Sequence, residues 1–256
     1  MHAILVSIGT DGDVFPYLAL GTRLRSRGHR VTLASCEQFC GLAAELGFNF
    51  CSLVSNEEMQ KVLTNPDFWH PIKSGIVGAR WGMSAIPRQY EQVAELTLDP
   101  DAVLIANPGV LAARIVQEKL AVPLATLLLQ PGMLQSVHAP PVLPAGPTLP
   151  PWAPWPIGRL YFWSIDALGG LLVGRDLNRF RATLDLPPVR RVFRWWLAPE
   201  LIIGMFPDWY APPQADWPPQ MKLAGFPLDD GRPEKELPGS FVRRASRRLP
   251  LPWARG

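Results

Sequence analysis

Residues 9–13, with the sequence GTDGD, carry the side chains best suited to chemistry in this chain. They follow a short apolar run, residues 4–8, and precede an amphipathic segment, residues 16–27, so the pattern predicts a strand, a loop and a helix. Ligands of open α/β sheets bind where the carboxyl ends of strands meet such loops. This loop would place the carboxylate of Asp13, a group able to act as a general base, beside the hydroxyl of Thr10. The sequence therefore predicts a substrate site at this edge.

The same residues also have a structural interpretation. Aspartate is a favoured helix N-cap, so Asp13 could simply cap the helix that follows, and position alone favours that role. Gly9 and Gly12 would permit a tight turn and the close approach of a substrate. The full Gly-x-Gly-x-x-Gly dinucleotide fingerprint is absent, which argues against NAD binding.

Apolar runs alternate with helical patterns along the rest of the chain. Strands are predicted at residues 31–34, 48–54, 102–106, 122–129 and 201–205, and helices at residues 37–46, 110–120 and 157–184. Residues 56–95 have a mostly helical pattern that Pro66, Pro71 and Pro87 are expected to break. Alternating strands and helices imply parallel pairing with right-handed crossovers. The predicted fold class is α/β, with a doubly wound, mainly parallel sheet.

Composition excludes several classes of protein. The last sixteen residues hold five arginines and no acid, whereas the net charge of the whole chain is only +3, so the remainder has no basic excess and no nucleic-acid partner is expected. Three cysteines, Cys36, Cys40 and Cys51, are too few and too loosely spaced for a disulfide framework or a zinc site, and they are expected to be buried free thiols. No metal or cofactor is predicted. No apolar run is long enough to span a membrane and no leader is recognisable, so a cytoplasmic location is expected.

Two groups of motifs, about 200 residues apart, resemble one family. The first is GTDGDVFP at residues 9–16, followed by RGHRV at residues 27–31. The second comprises FPDW at residues 206–209, DWP at residues 216–218 and GFP at residues 225–227. Together they resemble the N-terminal half of GT-B glycosyltransferases of the sterol and antibiotic glucosyltransferase type, the family 28 N-terminal-like group. The resemblance implies a Rossmann-like acceptor-binding domain over residues 1–238, with a proline-rich surface loop at residues 140–156.

The resemblance also implies roles for individual residues. Asp13 matches the acid proposed as the base in the antibiotic glycosyltransferases, and Thr10 stands where the family often has serine and would help to orient the acceptor or the sugar. Gln130, at a predicted strand end, and His138, in the loop beyond it, are candidates for acceptor contacts. A solvated loop residue is the competing interpretation of His138.

By resemblance, the activity would be transfer of a hexose from a UDP-glucose-type donor to a lipophilic alcohol such as a sterol, a polyketide or another lipid. Family members bind the donor through a His-Gly-Gly-type loop in a second Rossmann-like domain, and that motif is missing here. We therefore expect a truncated chain that ends in a disordered basic tail, residues 239–256, and is inactive without a donor-binding domain. Peripheral membrane contact and a partner glycosyltransferase domain are further expectations. The alternative is a non-catalytic helper protein that partners another glycosyltransferase.

Overall fold

A parallel sheet of seven strands forms the centre of the computed structural model, which describes residues 1–70, 73–141, 148–150 and 152–227. The strand order is β3-β2-β1-β4-β5-β6-β7, and every pair is parallel. The strands are β1 (His2–Val6), β2 (Arg30–Cys36), β3 (Asn49–Val54), β4 (Ala102–Ala106), β5 (Leu124–Leu128), β6 (Leu201–Gly204) and β7 (Met221–Leu223). The predicted doubly wound α/β fold is confirmed.

Helices connect these strands. The α-helices are α1 (Asp11–Ser26), α2 (Cys40–Glu45), α3 (Asn56–Leu63), α4 (Lys73–Leu96), α5 (Leu111–Leu120), α6 (Trp155–Gly169), α7 (Arg175–Thr183) and α8 (Val192–Trp195). Three short 3₁₀ turns, Glu37–Phe39, Pro66–Trp69 and Pro131–Met133, and one π-helical turn, Gly170–Gly174, complete the described elements.

The core lies around β1, whose five residues are all buried. A parallel strand covered on both faces needs an almost continuous apolar sequence, and β1 has one after His2. The chain order reverses between β1 and β4, which are neighbours with Val6 opposite Ala106. Connections leave the sheet in opposite directions at such a point, and a crevice opens beyond the strand ends. The fold therefore places the loop after β1 beside a natural ligand site.

Helix α1 begins at Asp11, five residues before the predicted start at Pro16. Thr10 is the N-cap residue, so the loop after β1 is shorter than expected and Gly12 already lies in the first turn. Pro16 is accommodated inside the helix because the backbone hydrogen bond that it cannot donate would go to Gly12, an exposed residue whose carbonyl can bind water.

Helix α4 continues through Pro87, so the predicted break at that residue is wrong. Strand β7, three residues long, was not predicted because so short a segment carries no periodic signal. Helix α6 begins at Trp155, inside the predicted proline-rich loop, while residues 142–147 and 151 of that loop lie outside the described residues. The predicted domain end at residue 238 and the tail at residues 239–256 also lie outside them.

The three cysteines differ in exposure. Cys36 is buried and Cys51 is partly buried, but Cys40 is exposed, so the expectation of three buried thiols is wrong for Cys40. Cys40 is the first residue of the short helix α2 and lies on its outer face. In the part of the chain that the structure describes, no helix combines the length and the apolar character needed to cross a bilayer.

Candidate functional site

A largely apolar cavity of about 380 Å³ opens at the carboxyl ends of β1 and β4. Its walls are the loops after these two strands, helix α3, the 3₁₀ turn Pro66–Trp69 and one face of α4. Of its nineteen described lining residues, eleven come from residues 59–89, and they include Met59, Val62, Trp69, Trp81 and Ile86. The volume lies within the usual range for small-molecule sites, which are concave and mostly apolar with a few fixed polar groups.

Asp13 lines this cavity, and hydrogen bonds hold one oxygen of its carboxylate. Its Oδ2 accepts hydrogen bonds from the backbone N–H of Thr10 at 2.9 Å and from the Thr10 hydroxyl at 3.2 Å. Asp13 is the third residue of α1, so it caps the helix from inside the first turn, and the N-cap predicted for Asp13 is Thr10 instead. Among the described residues, no hydrogen bond reaches Oδ1. The carboxylate is thus oriented by one oxygen and available through the other.

The Asp13 carboxylate packs directly against the backbone of Gly9. Its φ of +149° lies in a region that side chains disfavour. A Cβ built there would come within 2.6 Å of the Asp13 Cγ. Gly9 therefore allows the Asp13 carboxylate to approach its backbone closely, and the close approach of a substrate stays a prediction. Gly12 lies in the helix rather than in a tight turn, and a Cβ there would face open space.

Two neighbours of Asp13 remain neutral near pH 7. Complete burial, reinforced by the charge of Asp13, raises the pKa of the Tyr17 hydroxyl well above its usual value, and this hydroxyl donates to the Leu127 carbonyl. Burial is the main cause that raises the pKa of the Cys36 thiol, which donates to the Gly9 carbonyl. Neither the phenol nor the thiol is therefore ionised near pH 7 to compete with the Asp13 carboxylate for a proton.

Two amides that sequence reasoning missed also line the cavity. Asn107 follows β4, where its backbone N–H donates to the Val6 carbonyl at 2.9 Å and its Oδ1 accepts from the Gly109 N–H at 2.8 Å. Gln89 lies on α4 and is only 4% exposed. The signal for Gln89 was a polar residue within the apolar stripe of α4, between Ile86 and Val93.

The other predicted site residues lie elsewhere. Gln130 lines a different cavity of about 490 Å³, together with Pro131 and residues near Tyr210. His138 is exposed, and its backbone N–H donates to the Ser136 hydroxyl at 3.2 Å. Neither lines the cavity at Asp13, so the structure brings Asp13, Thr10, Gly9 and no other predicted site residue together there. Among the described residues, no group of three or more His, Cys, Asp or Glu side chains could hold a metal ion.

The fold is that of the Rossmann-like N-terminal half of GT-B glycosyltransferases. The structure of the glycosyltransferase of kitacinnamycin superposes with a TM-score of 0.61 at 17% identity, over 92% of this chain and 53% of that one. The sequence pattern of the glycosyltransferase family 28 N-terminal domain matches residues 3–139, and the chain belongs to this family.

Two relatives align along most of the chain. The sterol 3-beta-glucosyltransferase UGT80A2 of Arabidopsis thaliana is 26% identical over 94% of this chain, which spans 39% of that protein. The O-mycaminosyltylonolide 6-deoxyallosyltransferase of Streptomyces fradiae is 27% identical over 93% of this chain, which spans 57% of that protein. The chain therefore spans about two fifths to three fifths of the length of these relatives. The resemblance inferred from the sequence motifs is confirmed.

Proposed function

We propose that this chain binds the acceptor in the transfer of a hexose from a nucleotide sugar to a lipophilic alcohol. The observation that carries the proposal is the apolar cavity with the half-buried carboxylate of Asp13 at its edge, in a member of a glycosyltransferase family. The Arabidopsis relative acts on a sterol and the Streptomyces relative on O-mycaminosyltylonolide. Both names are consistent with a large acceptor whose surface is mostly carbon.

The proposed chemistry follows from the two oxygens of Asp13. An alcohol that attacks a sugar carbon must lose its proton as the new bond forms, and a positioned carboxylate can accept that proton. Thr10 holds Oδ2 through two hydrogen bonds, which leaves Oδ1 available for a hydrogen bond donated by the hydroxyl of the sugar acceptor. The donor would approach from the open edge of the sheet, where a second Rossmann-like domain binds its diphosphate in enzymes of this architecture.

Acceptor binding can be tested with a variant whose new side chain occupies the cavity. Gly82 lines the cavity and a Cβ on it would meet open space, so Gly82→Leu should fill the cavity without disturbing α4. Gly75 lies on the same helix, also faces open space and does not line the cavity. Titration of the chain with the fluorescent sterol dehydroergosterol should show binding that Gly82→Leu abolishes and the control Gly75→Leu retains. Equal binding by both variants would mean that the ligand does not occupy this cavity.

Catalysis can be tested by joining residues 1–227 to the donor-binding half of the Streptomyces relative and supplying a nucleotide sugar with hydroxylated steroids. In that enzyme, Asp13→Asn should lower turnover by about 10²-fold, the usual scale for loss of a general base. Near-normal turnover would refute the role of Asp13. Acceptor binding without turnover by the unmodified enzyme would favour a non-catalytic binding function.

A further inference from the structure

Gln89 is a buried polar side chain in the cavity, and the described residues offer it no partner. Its residue is 4% exposed, and none of its side-chain atoms forms a hydrogen bond within the described ranges. Buried amides in folded proteins are normally hydrogen-bonded, because water is lost on burial and must be replaced. The polar atoms of Gln89 are not sealed off but remain accessible from the cavity, where water or an oxygen of a ligand can bond to them.

The neighbouring amides differ from Gln89 in what they contribute to the fold, although the Oε1 of Gln92 is also buried without a partner. Gln92, one turn further along α4, donates to the Ser52 carbonyl at 2.8 Å. Asn107, across the cavity, uses its Oδ1 to shape the loop after β4. Gln89 alone among these three contributes no side-chain hydrogen bond to the described fold, so a structural role does not explain its place on the core-facing stripe of α4.

Gln89 is enclosed more deeply than the loop that carries Asp13. Thr10, which anchors Asp13, is exposed, whereas Gln89 is almost completely enclosed. The lining residues of α4 extend from Gly78 to Gln89, eleven steps and therefore about 16 Å along the helix. A ligand that presents one hydroxyl to Asp13 at the edge would have a second part of its surface buried against Gln89.

From these observations we propose that Gln89 determines acceptor specificity by hydrogen bonding to a second oxygen of the acceptor, remote from the hydroxyl that is glycosylated. The inference rests on the proposed function and narrows the class of acceptor. Among acceptors that fit the cavity, an oxygenated polycycle or macrocycle, such as a hydroxyketone or a diol, should then be preferred over a sterol whose remaining surface is entirely hydrocarbon. A site that is built to hydrogen-bond an oxygen rejects analogues that lack it far more strongly than an apolar pocket rejects a small change of size.

Two steroids of nearly equal size test this inference on the full chain. Both 3β-hydroxyandrost-5-en-17-one and androst-5-en-3β-ol carry the hydroxyl proposed to meet Asp13, but only the first has an oxygen at the far end. A purely apolar cavity would prefer the less polar androstenol. We expect the ketone to bind at least about tenfold more tightly by isothermal titration calorimetry, because it satisfies the Gln89 amide.

Substitutions at two glutamines of α4 test whether Gln89 causes the preference for the ketone. Gln89→Met keeps the length of the side chain and removes its polar atoms, so the two steroids should bind within about twofold of each other. Gln92→Met loses a hydrogen bond to Ser52 outside the cavity and should keep the preference of the wild-type chain.

The outcomes separate the two proposals. Equal binding of both steroids by the wild-type chain, or a preference that survives in Gln89→Met, would overturn the role of Gln89 and leave the acceptor site intact. Failure of the wild-type chain to bind either steroid would reject the acceptor site and with it the role of Gln89. The ratio measured on the wild-type chain decides the inference even if Gln89→Met does not fold.

Discussion

Replacing Asp13 with alanine should destabilise the fold as well as remove the proposed base, because this carboxylate holds the first turn of α1. Its Oδ2 accepts from both the backbone N–H and the hydroxyl of Thr10, and helix capping of this kind contributes about 1 kcal/mol. A negative charge in the first turn adds about 0.5 kcal/mol through the helix dipole. The sum, about 1.5 kcal/mol, corresponds to a fall in the unfolding temperature of about 5 °C for a domain of this size.

Two further variants isolate the cause of that fall. Asp13→Asn keeps an oxygen that can accept from Thr10 and loses only the charge, so its unfolding temperature should drop by about 1–2 °C. Asp11→Ala removes a charge from the same turn, but the Asp11 side chain forms no hydrogen bond within the described residues, so it is the matched control for charge alone. Asn at position 13 should therefore separate the two roles, with stability mostly kept and proton transfer lost.

Thermal unfolding followed by far-ultraviolet circular dichroism, at neutral pH and low salt, measures all three variants. The order of destabilisation should be Asp13→Ala, then Asp13→Asn and Asp11→Ala together. If Asp13→Ala unfolds at the same temperature as Asp11→Ala, the hydrogen bonds to Thr10 contribute nothing and the reasoning from the capping geometry is refuted.

Two other predictions use matched residues close to the site. Gly9→Ala should lower the free energy of unfolding by about 1–3 kcal/mol, because the φ of Gly9 is unfavourable for alanine and the new Cβ meets Asp13. Gly12→Ala should raise the free energy of unfolding by about 0.5–1 kcal/mol, because it replaces a helical glycine that faces open space. Urea unfolding compares the two variants, and equal effects would contradict the assigned geometry. Brief alkylation with iodoacetamide at pH 8 should modify exposed Cys40 well before Cys36, whose burial and raised pKa keep it as a thiol. Peptide mass spectrometry measures the two rates, and equal rates in the folded chain would contradict the assigned difference in exposure.

The sheet was predictable because its signals are local. Apolar runs such as residues 102–106 are bounded by turn residues, and parallel order follows once helices alternate with strands. The position of Asp13 followed from the same logic, since the carboxyl end of β1 must face the ligand edge. Its capping partner did not follow, because one residue of difference in the start of α1 decides whether Asp13 lies before the helix or within its first turn.

The cavity could not be predicted because its walls meet only in three dimensions. Trp69 and Trp81 are large apolar side chains, but only the packing of α3, the 3₁₀ turn and α4 shows that they enclose a space. Pro87 was interpreted as the end of a helix, which divided the long face of α4 that carries Gln89. A polar residue on an apolar stripe is ambiguous until its neighbours are known, and here the described neighbours leave it without a partner.

The uneven origin of the cavity walls has an evolutionary consequence. Eleven of the nineteen described lining residues come from the single crossover between β3 and β4, within residues 59–89, whereas Asp13 and its anchor Thr10 belong to the crossover between β1 and β2. Under the proposed function, acceptor choice and proton transfer would therefore be encoded in separate, contiguous stretches of the gene. Recombination that exchanges only the stretch encoding residues 59–89 would bring in a new set of walls while Asp13 and the seven strands stay as inherited, so such genes could acquire new acceptors by replacement of one internal segment.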